Sequence, residues 1–202
     1  MKRIKLFGLA ALFVALSASA PLKYEVGDSV ADFKLKNFDG KVISLSDYKD
    51  AKGAIVIFDC NTCPYSKAYN DRIIALNKKY AAEGFPVITI NANDPQLSPG
   101  DSFGEMVARA KQKKYDFPYL VDESQSVAKA FGATNTPHVF VLQKAGDAFQ
   151  VAYIGTIDNN SRDASAVTKR YVEDAVDALI AGKAISTKST KAIGCGIKWR
   201  NS

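Results

Sequence analysis

The sequence predicts an α/β fold built on a mixed β-sheet flanked by helices, and three observations carry that prediction. Two apolar runs, Ala54–Phe58 and Phe85–Asn91, enclose a segment of helical periodicity long enough to cross over, a βαβ unit with a parallel strand pair. Two other regions read as antiparallel hairpins, one around Asp39-Gly40 and one around Ala145-Gly146-Asp147. With 47% hydrophobic and 24% charged residues among 202, the chain has the composition of one domain with a full core, which excludes a disordered protein.

Residues 1–20 stand apart. Lys2, Arg3 and Lys5 precede an apolar run, Leu6 to Leu16, too short to span a bilayer as a stable helix, and Ala18-Ser19-Ala20 has the form of a cleavage site. An export signal is expected, with Ala15-Leu16-Ser17 as the alternative cut because Pro21 follows the first. A retained membrane anchor is the rival reading, although no cysteine near the end of the run is placed to carry a lipid. The expected product is exported to the periplasm, with no stable membrane insertion after cleavage. Removing residues 1–20 leaves 24 Lys and Arg against 21 Asp and Glu, so the net charge falls from +6 to +3. The basic residues do not interleave with stacking aromatics, so no nucleic-acid partner is expected.

Residues 21–185 are expected to form the domain. Val26 to Leu35 opens it, and Phe38 to Leu45 is the first hairpin. The strand Ala54–Phe58 ends in Asp59-Cys60-Asn61-Thr62-Cys63-Pro64, after which Tyr65, Tyr69, Ile73, Leu76 and Tyr80 recur at the spacing of one helical face, with Gly84 as the stop. A loop follows the strand Phe85–Asn91. Ser102 and Glu105 have capping-box spacing for a helix running to about Lys114, Phe117–Val121 is a short strand, and Ser124–Phe131 is a short helix stopped by Gly132. Val139–Leu142 and Phe149–Ile154 are paired strands, and Ala166–Ile180 is a last amphipathic helix closed by Gly182. Residues 186–202 form a polar, basic tail carrying Cys195 between Gly194 and Gly196, with Ile193, Ile197 and Trp199 as its apolar groups.

The chemistry gathers at Cys60 and Cys63. They fall at or just before the first turn of a helix, where unpaired N–H groups and the positive end of the dipole favour a thiolate. Structural zinc needs a second ligand doublet, and the chain has only one other cysteine and one histidine. A structural disulfide across so short a loop removes little chain entropy. A working dithiol remains, needing no organic cofactor and no metal. Cys60 is expected to be the more exposed thiol and to react first.

The order hairpin, strand, Cys-x-x-Cys, helix, strand, helix, strand, Thr-Pro, hairpin, helix resembles the thioredoxin fold, which implies a three-layer sandwich with a central mixed sheet. Val26-Gly27-Asp28, Ala31-Asp32-Phe33-Lys34-Leu35 and Asp39-Gly40-Lys41 are similar to the opening of the alkyl hydroperoxide reductase and thiol-specific antioxidant group and of exported thiol-disulfide oxidoreductases. Cys60 to Tyr65, Asn91 to Asp94, Asp101-Ser102-Phe103, Phe117 to Leu120, Thr136-Pro137-His138 and Gly194 to Trp199 resemble a peroxiredoxin-like thioredoxin subfamily. The resemblance implies Cys60 as attacking and Cys63 as resolving cysteine. It also implies a cis Pro137 that aims the Thr136 backbone at the dithiol, where a substrate segment can pair.

This sequence departs from both patterns. Laying Cys63-Pro64 on a peroxiredoxin's Pro-x-x-x-Thr-x-x-Cys puts Cys60 at the threonine and Val56 at the proline, so the hydroxyl that helps position a peroxide is missing. Ala54 stands where thioredoxin has its buried acid, leaving Asp59 and Lys67 as substitutes for proton handling. The leading function is a thiol-disulfide oxidoreductase acting on protein or small-molecule disulfides and thiols, together with a redox partner protein. The alternatives are a thiol peroxidase and a copper-delivery protein using Cys60, Cys63 and His138. Cys195 is a candidate third redox thiol, because a tail of about fifteen residues can extend some 50 Å and reach back across the domain.

Overall fold

The computed structural model describes residues 23–200, so the expected signal at residues 1–20 lies outside the described residues. Among the described residues no helix is long and apolar enough to cross a membrane.

Eight strands form one sheet. They are β1 (Ser29–Val30), β2 (Lys34–Asn37), β3 (Val42–Ser44), β4 (Gly53–Phe58), β5 (Val87–Asn91), β6 (Tyr119–Val121), β8 (His138–Ala145) and β9 (Ala148–Gly155). The remaining strands, β7 (Asn135–Thr136) and β10 (Cys195–Gly196), pair only with each other. The large sheet runs β1-β9-β8-β4-β5-β6-β2-β3. Its centre, β4-β5-β6, is parallel, and every other pairing is antiparallel. This is the mixed sheet the sequence predicts.

All six residues of β4 are buried, which is why Gly53–Phe58 reads as a continuous apolar run and not as an alternation. The period of two still sorts its side chains between two cores. Ile55 and Ile57 meet Tyr69, Ile73, Leu76 and Tyr80 of α1 (Pro64–Tyr80) and Val172, Ala175 and Val176 of α4 (Tyr171–Ile180). Val56 and Phe58 face the opposite layer, where Phe131, the last residue of α3 (Ser126–Phe131), packs edge-on against Tyr24, Phe58 and Phe140 at 5.1, 5.4 and 5.1 Å. Burying each such ring contributes about 2–3 kcal/mol. The fourth helix, α2 (Phe103–Lys113), rests Met106 and Ala110 on Tyr119.

Two boundaries differ from the sequence reading. The last helix begins at Tyr171, not Ala166, because Asn159 Oδ1 accepts the backbone N–H groups of Thr168 and Lys169 at 3.0 and 3.1 Å and fixes that stretch as a loop. Ser102 is the N-cap of α2 but its hydroxyl makes no capping bond, and Glu105 lines a cavity beside Lys67 and Arg109 instead of closing a box.

Candidate active site

The site begins where β4 ends. Cys63 is the N-cap of α1, in extended backbone (φ −63°, ψ 126°), and Pro64 supplies a first helical residue whose missing N–H costs nothing there. The loop between the two cysteines is held from outside. Asp101 Oδ1 accepts the N–H groups of Asn61 and Thr62 at 2.6 and 3.1 Å, while its Oδ2 accepts from the Thr62, Ser98 and Asn93 side chains at 2.8, 2.6 and 2.8 Å. Tyr119 donates its hydroxyl to Asn61 Oδ1 at 2.9 Å. Asp101 stood in a motif block of the sequence without a role. Its partners in the redox loop, Asn61 and Thr62, lie about forty residues earlier, so only the fold reveals its positioning work.

Three free thiols meet here. Cys60 Sγ lies 3.1 Å from Thr136 Oγ1 and 3.9 Å from Ser66 Oγ. Cys63 Sγ lies 3.0 Å from the Thr136 carbonyl oxygen and 2.7 Å from Cys195 Sγ, and the Cys195 N–H donates to it at 3.4 Å. The expectation that Cys60 is the more exposed thiol is corrected. Cys60 and Cys63 are 1% and 2% exposed: Thr136 lies against both sulfurs and Cys195 of β10 against that of Cys63, and the partly exposed sulfur residue is Cys195.

Electrostatics separates the pair more sharply than exposure does. The hydrogen bond from Cys60 holds the Cys63 thiol well below its ordinary range, against the opposing effect of burial, with help from the Cys195 thiol and from the N–H groups of Ser66 and Cys195. Cys60 is pushed up by its role as donor to Cys63, by burial, and by the carboxylates of Asp59 and Asp101. Burial also raises the thiol of Cys195, as does the neighbouring Cys63.

Asp59 is buried, and burial raises its carboxyl despite the Arg109 guanidinium 3.4 Å away. Its Oδ1 has no hydrogen-bond partner among the described residues. Arg109 also donates to the Cys60 carbonyl and, at 2.9 and 3.2 Å, to Tyr115 Oη and Asn70 Oδ1, tying α2 to the redox loop. Nothing in the sequence paired Asp59 with a cation fifty positions on. Lys67 is exposed and lines, with Asn61, Asn70, Glu105 and Arg109, a cavity of about 430 Å³ on the Cys60 side.

The Thr136–Pro137 peptide is cis. The strand edge of Thr136, where the family resemblance implies a substrate segment, is paired with the chain's own tail: Cys195 opposes Thr136 and Gly196 opposes Asn135. His138 turns away from the sulfurs. Its ring packs on Phe140 at 4.7 Å, its Nδ1 accepts the Thr134 N–H at 3.3 Å, and burial lowers it to about 4. Cys60, Cys63 and His138 are thus not arranged as a ligand set, and among the described residues no group of three or more His, Cys, Asp or Glu is placed to hold a metal ion.

Residues 26–149 match the model of the AhpC/TSA family. The chain belongs to that family. The matched span holds Cys60, Cys63, Thr136 and Pro137 and stops before Cys195. Thiol-disulfide oxidoreductase ResA of Bacillus thuringiensis is 26% identical over 131 residues, 63% of this chain and 69% of its own length. An uncharacterised conserved protein of Geobacillus kaustophilus superposes with a TM-score of 0.82 at 34% identity, covering 89% of this chain and 94% of that one. A Chlorobium tepidum protein described as a thiol:disulfide interchange protein DsbE superposes at 0.55 with 19% identity, over 79% of this chain and 98% of that one, a likeness of fold. This AhpC/TSA domain is a thioredoxin-like α/β fold of an oxidoreductase family.

Proposed function

We propose that the protein is a thiol-disulfide oxidoreductase working through Cys60 and Cys63. The observation that carries the reading is the buried dithiol at the start of α1, with its charge drawn to Cys63 by the helix start and its neighbours. Cys63 as thiolate attacks one sulfur of a substrate disulfide, and the departing sulfur leaves as a thiolate. Cys60 then attacks Cys63 Sγ, releasing the second substrate thiol and leaving a Cys60–Cys63 disulfide. This exchanges the roles that the family resemblance implies. Thr136 orients both sulfurs through its hydroxyl and carbonyl, and Pro137 ends that segment. With β10 in place, an extended peptide has to compete with β10 for the Thr136 edge. Export to the periplasm, read from residues 1–20, suits such chemistry because that compartment oxidises thiols.

Reduction of insulin disulfides by the protein with a thiol donor tests the proposal, with turnover lost in Cys63→Ser. A second reading, thiol peroxidase, is favoured by one observation, the position of Cys63, the cysteine that aligns with the peroxidatic position, at the N-cap of α1. Peroxide consumed much faster than insulin is reduced selects it, and the reverse order discards it.

A further inference from the structure

We propose that Cys195 is the thiol through which external thiols re-reduce the site, because β10 holds its sulfur 2.7 Å from Cys63 at the partly exposed edge of a buried dithiol. The inference rests on the dithiol reading above and adds to it a route in and out. Neither active-site cysteine is open to solvent, so a reductant that has to touch Cys60 or Cys63 directly meets a covered disulfide.

The tail that carries Cys195 is built into the fold. Asn135 Nδ2 donates to the Gly194 carbonyl at 2.9 Å, the Ile197 N–H to Thr134 at 3.0 Å, and the Lys198 N–H to Asn93 Oδ1 at 2.9 Å. Lys198 O accepts from the Asp94 N–H and from Gln125 Nε2, each at 2.9 Å, and Ile197 joins the core beside Phe58 and Phe131. Gly194 lies so close to the Thr136 carbonyl that a Cβ there collides with it. A cysteine that merely packed would rest on apolar groups; this one faces a sulfur, at a separation only about 0.7 Å longer than a disulfide bond.

The steps balance. In the oxidised protein the Cys195 thiolate attacks Cys63 Sγ; the Cys63–Cys195 bond forms, the Cys60–Cys63 bond breaks, and Cys60 leaves with the electron pair and takes up the proton that Cys195 lost. No electrons enter or leave, and the fixed proximity of the two sulfurs offsets the poor leaving group that Cys60 makes. An external thiol, losing its proton to solvent, then attacks Cys195 Sγ and expels Cys63, the thiol whose surroundings best hold a thiolate. A second external thiol attacks the resulting mixed disulfide, forming the external disulfide and returning Cys195 as a thiol. Two external thiols are oxidised and one protein disulfide is reduced.

The test uses the full chain with oxidised glutathione as oxidant, dithiothreitol as reductant, and peptide mass mapping. Mild oxidation of Cys60→Ser is expected to give a Cys63–Cys195 crosslink, and Gly194→Ala combined with Cys60→Ser is expected to lose it. Cys195→Ser is expected to form the Cys60–Cys63 disulfide yet be re-reduced at least about tenfold more slowly than the parent. A Cys195 that stays reduced in oxidised Cys60→Ser, or parental re-reduction of Cys195→Ser, overturns the relay. If Cys195→Ser instead fails to form the Cys60–Cys63 disulfide while circular dichroism shows it folded, the dithiol reading itself falls.

Discussion

The two cysteines of the motif sit three residues apart, and their surroundings pull in opposite directions. Around Cys60 the protein places acids: Asp59 next to it in sequence and Asp101 across the loop, with Arg109 offsetting part of that charge and clamping the Cys60 carbonyl. Around Cys63 it places the Cys60 thiol and the N–H groups of Ser66 and Cys195, while the Cys63 thiol itself faces the Thr136 carbonyl and Cys195 Sγ. Both cysteines are equally buried, so exposure decides nothing between them. What differs is which sulfur is offered hydrogen bonds and which is offered acids, and these surroundings lower the thiol of Cys63 and raise that of Cys60.

The largest effect should come from removing that thiolate. Cys63→Ser is expected to lower disulfide reduction by at least about 10³-fold, since the nucleophile itself is gone. Cys60→Ser should still form a mixed disulfide with substrate, visible by mass spectrometry. Iodoacetamide at mildly acid pH should label Cys63 first; preferential labelling of Cys60 breaks the contrast drawn above.

The acidic side can be tested through its one cation. Arg109→Leu leaves Asp59 buried and uncompensated, so a loss of about 3–5 kcal/mol is expected in urea unfolding. Adding Asp59→Leu should restore much of it, and a double variant no more stable than the single one rejects the pairing.

His138, beside Thr136 but on neither side of the dithiol, supplies a pH probe of this region. Its folded value of about 4 lies below the ordinary 6.5, so the unfolded chain binds the proton more readily. The associated stability is fully present above about pH 6.5 and is lost as pH falls towards 4, by roughly 3 kcal/mol in all. Unfolding midpoints across that window should flatten in His138→Phe, and an unchanged slope excludes His138 as the source. The smallest effect is expected at Ser102, which begins the helix carrying Arg109 but makes no capping bond. Ser102→Ala should shift stability by less than about 0.5 kcal/mol, and a loss near 1 kcal/mol reveals a cap in solution.

Much of this was legible from residue order alone. The run Ala54–Phe58, the four-and-three spacing from Tyr65 to Tyr80 and the Asp39-Gly40 turn are local signals, because strand, helix and tight turn each depend on neighbours within a few positions. They lead to the mixed sheet and to two cysteines at a helix start, and the family resemblance extends them to Thr136-Pro137. The sequence also singled out Cys195 as a cysteine able to reach back. It had no means of choosing between Cys60 and Cys63 as its neighbour, nor of pairing Asp59 with Arg109 or Asp101 with the Asn61 and Thr62 amides. It also carried no period that marks the two-residue strands β7 and β10. Those features depend on contacts between segments about 40 to 130 positions apart, and distance along the chain places no bound on distance in space once it is folded. The residue types and the secondary structure were thus set locally, while which thiol carries charge, and which strand covers it, was decided by tertiary packing, because charge placement in a buried site follows from the atoms brought within a few ångströms of it.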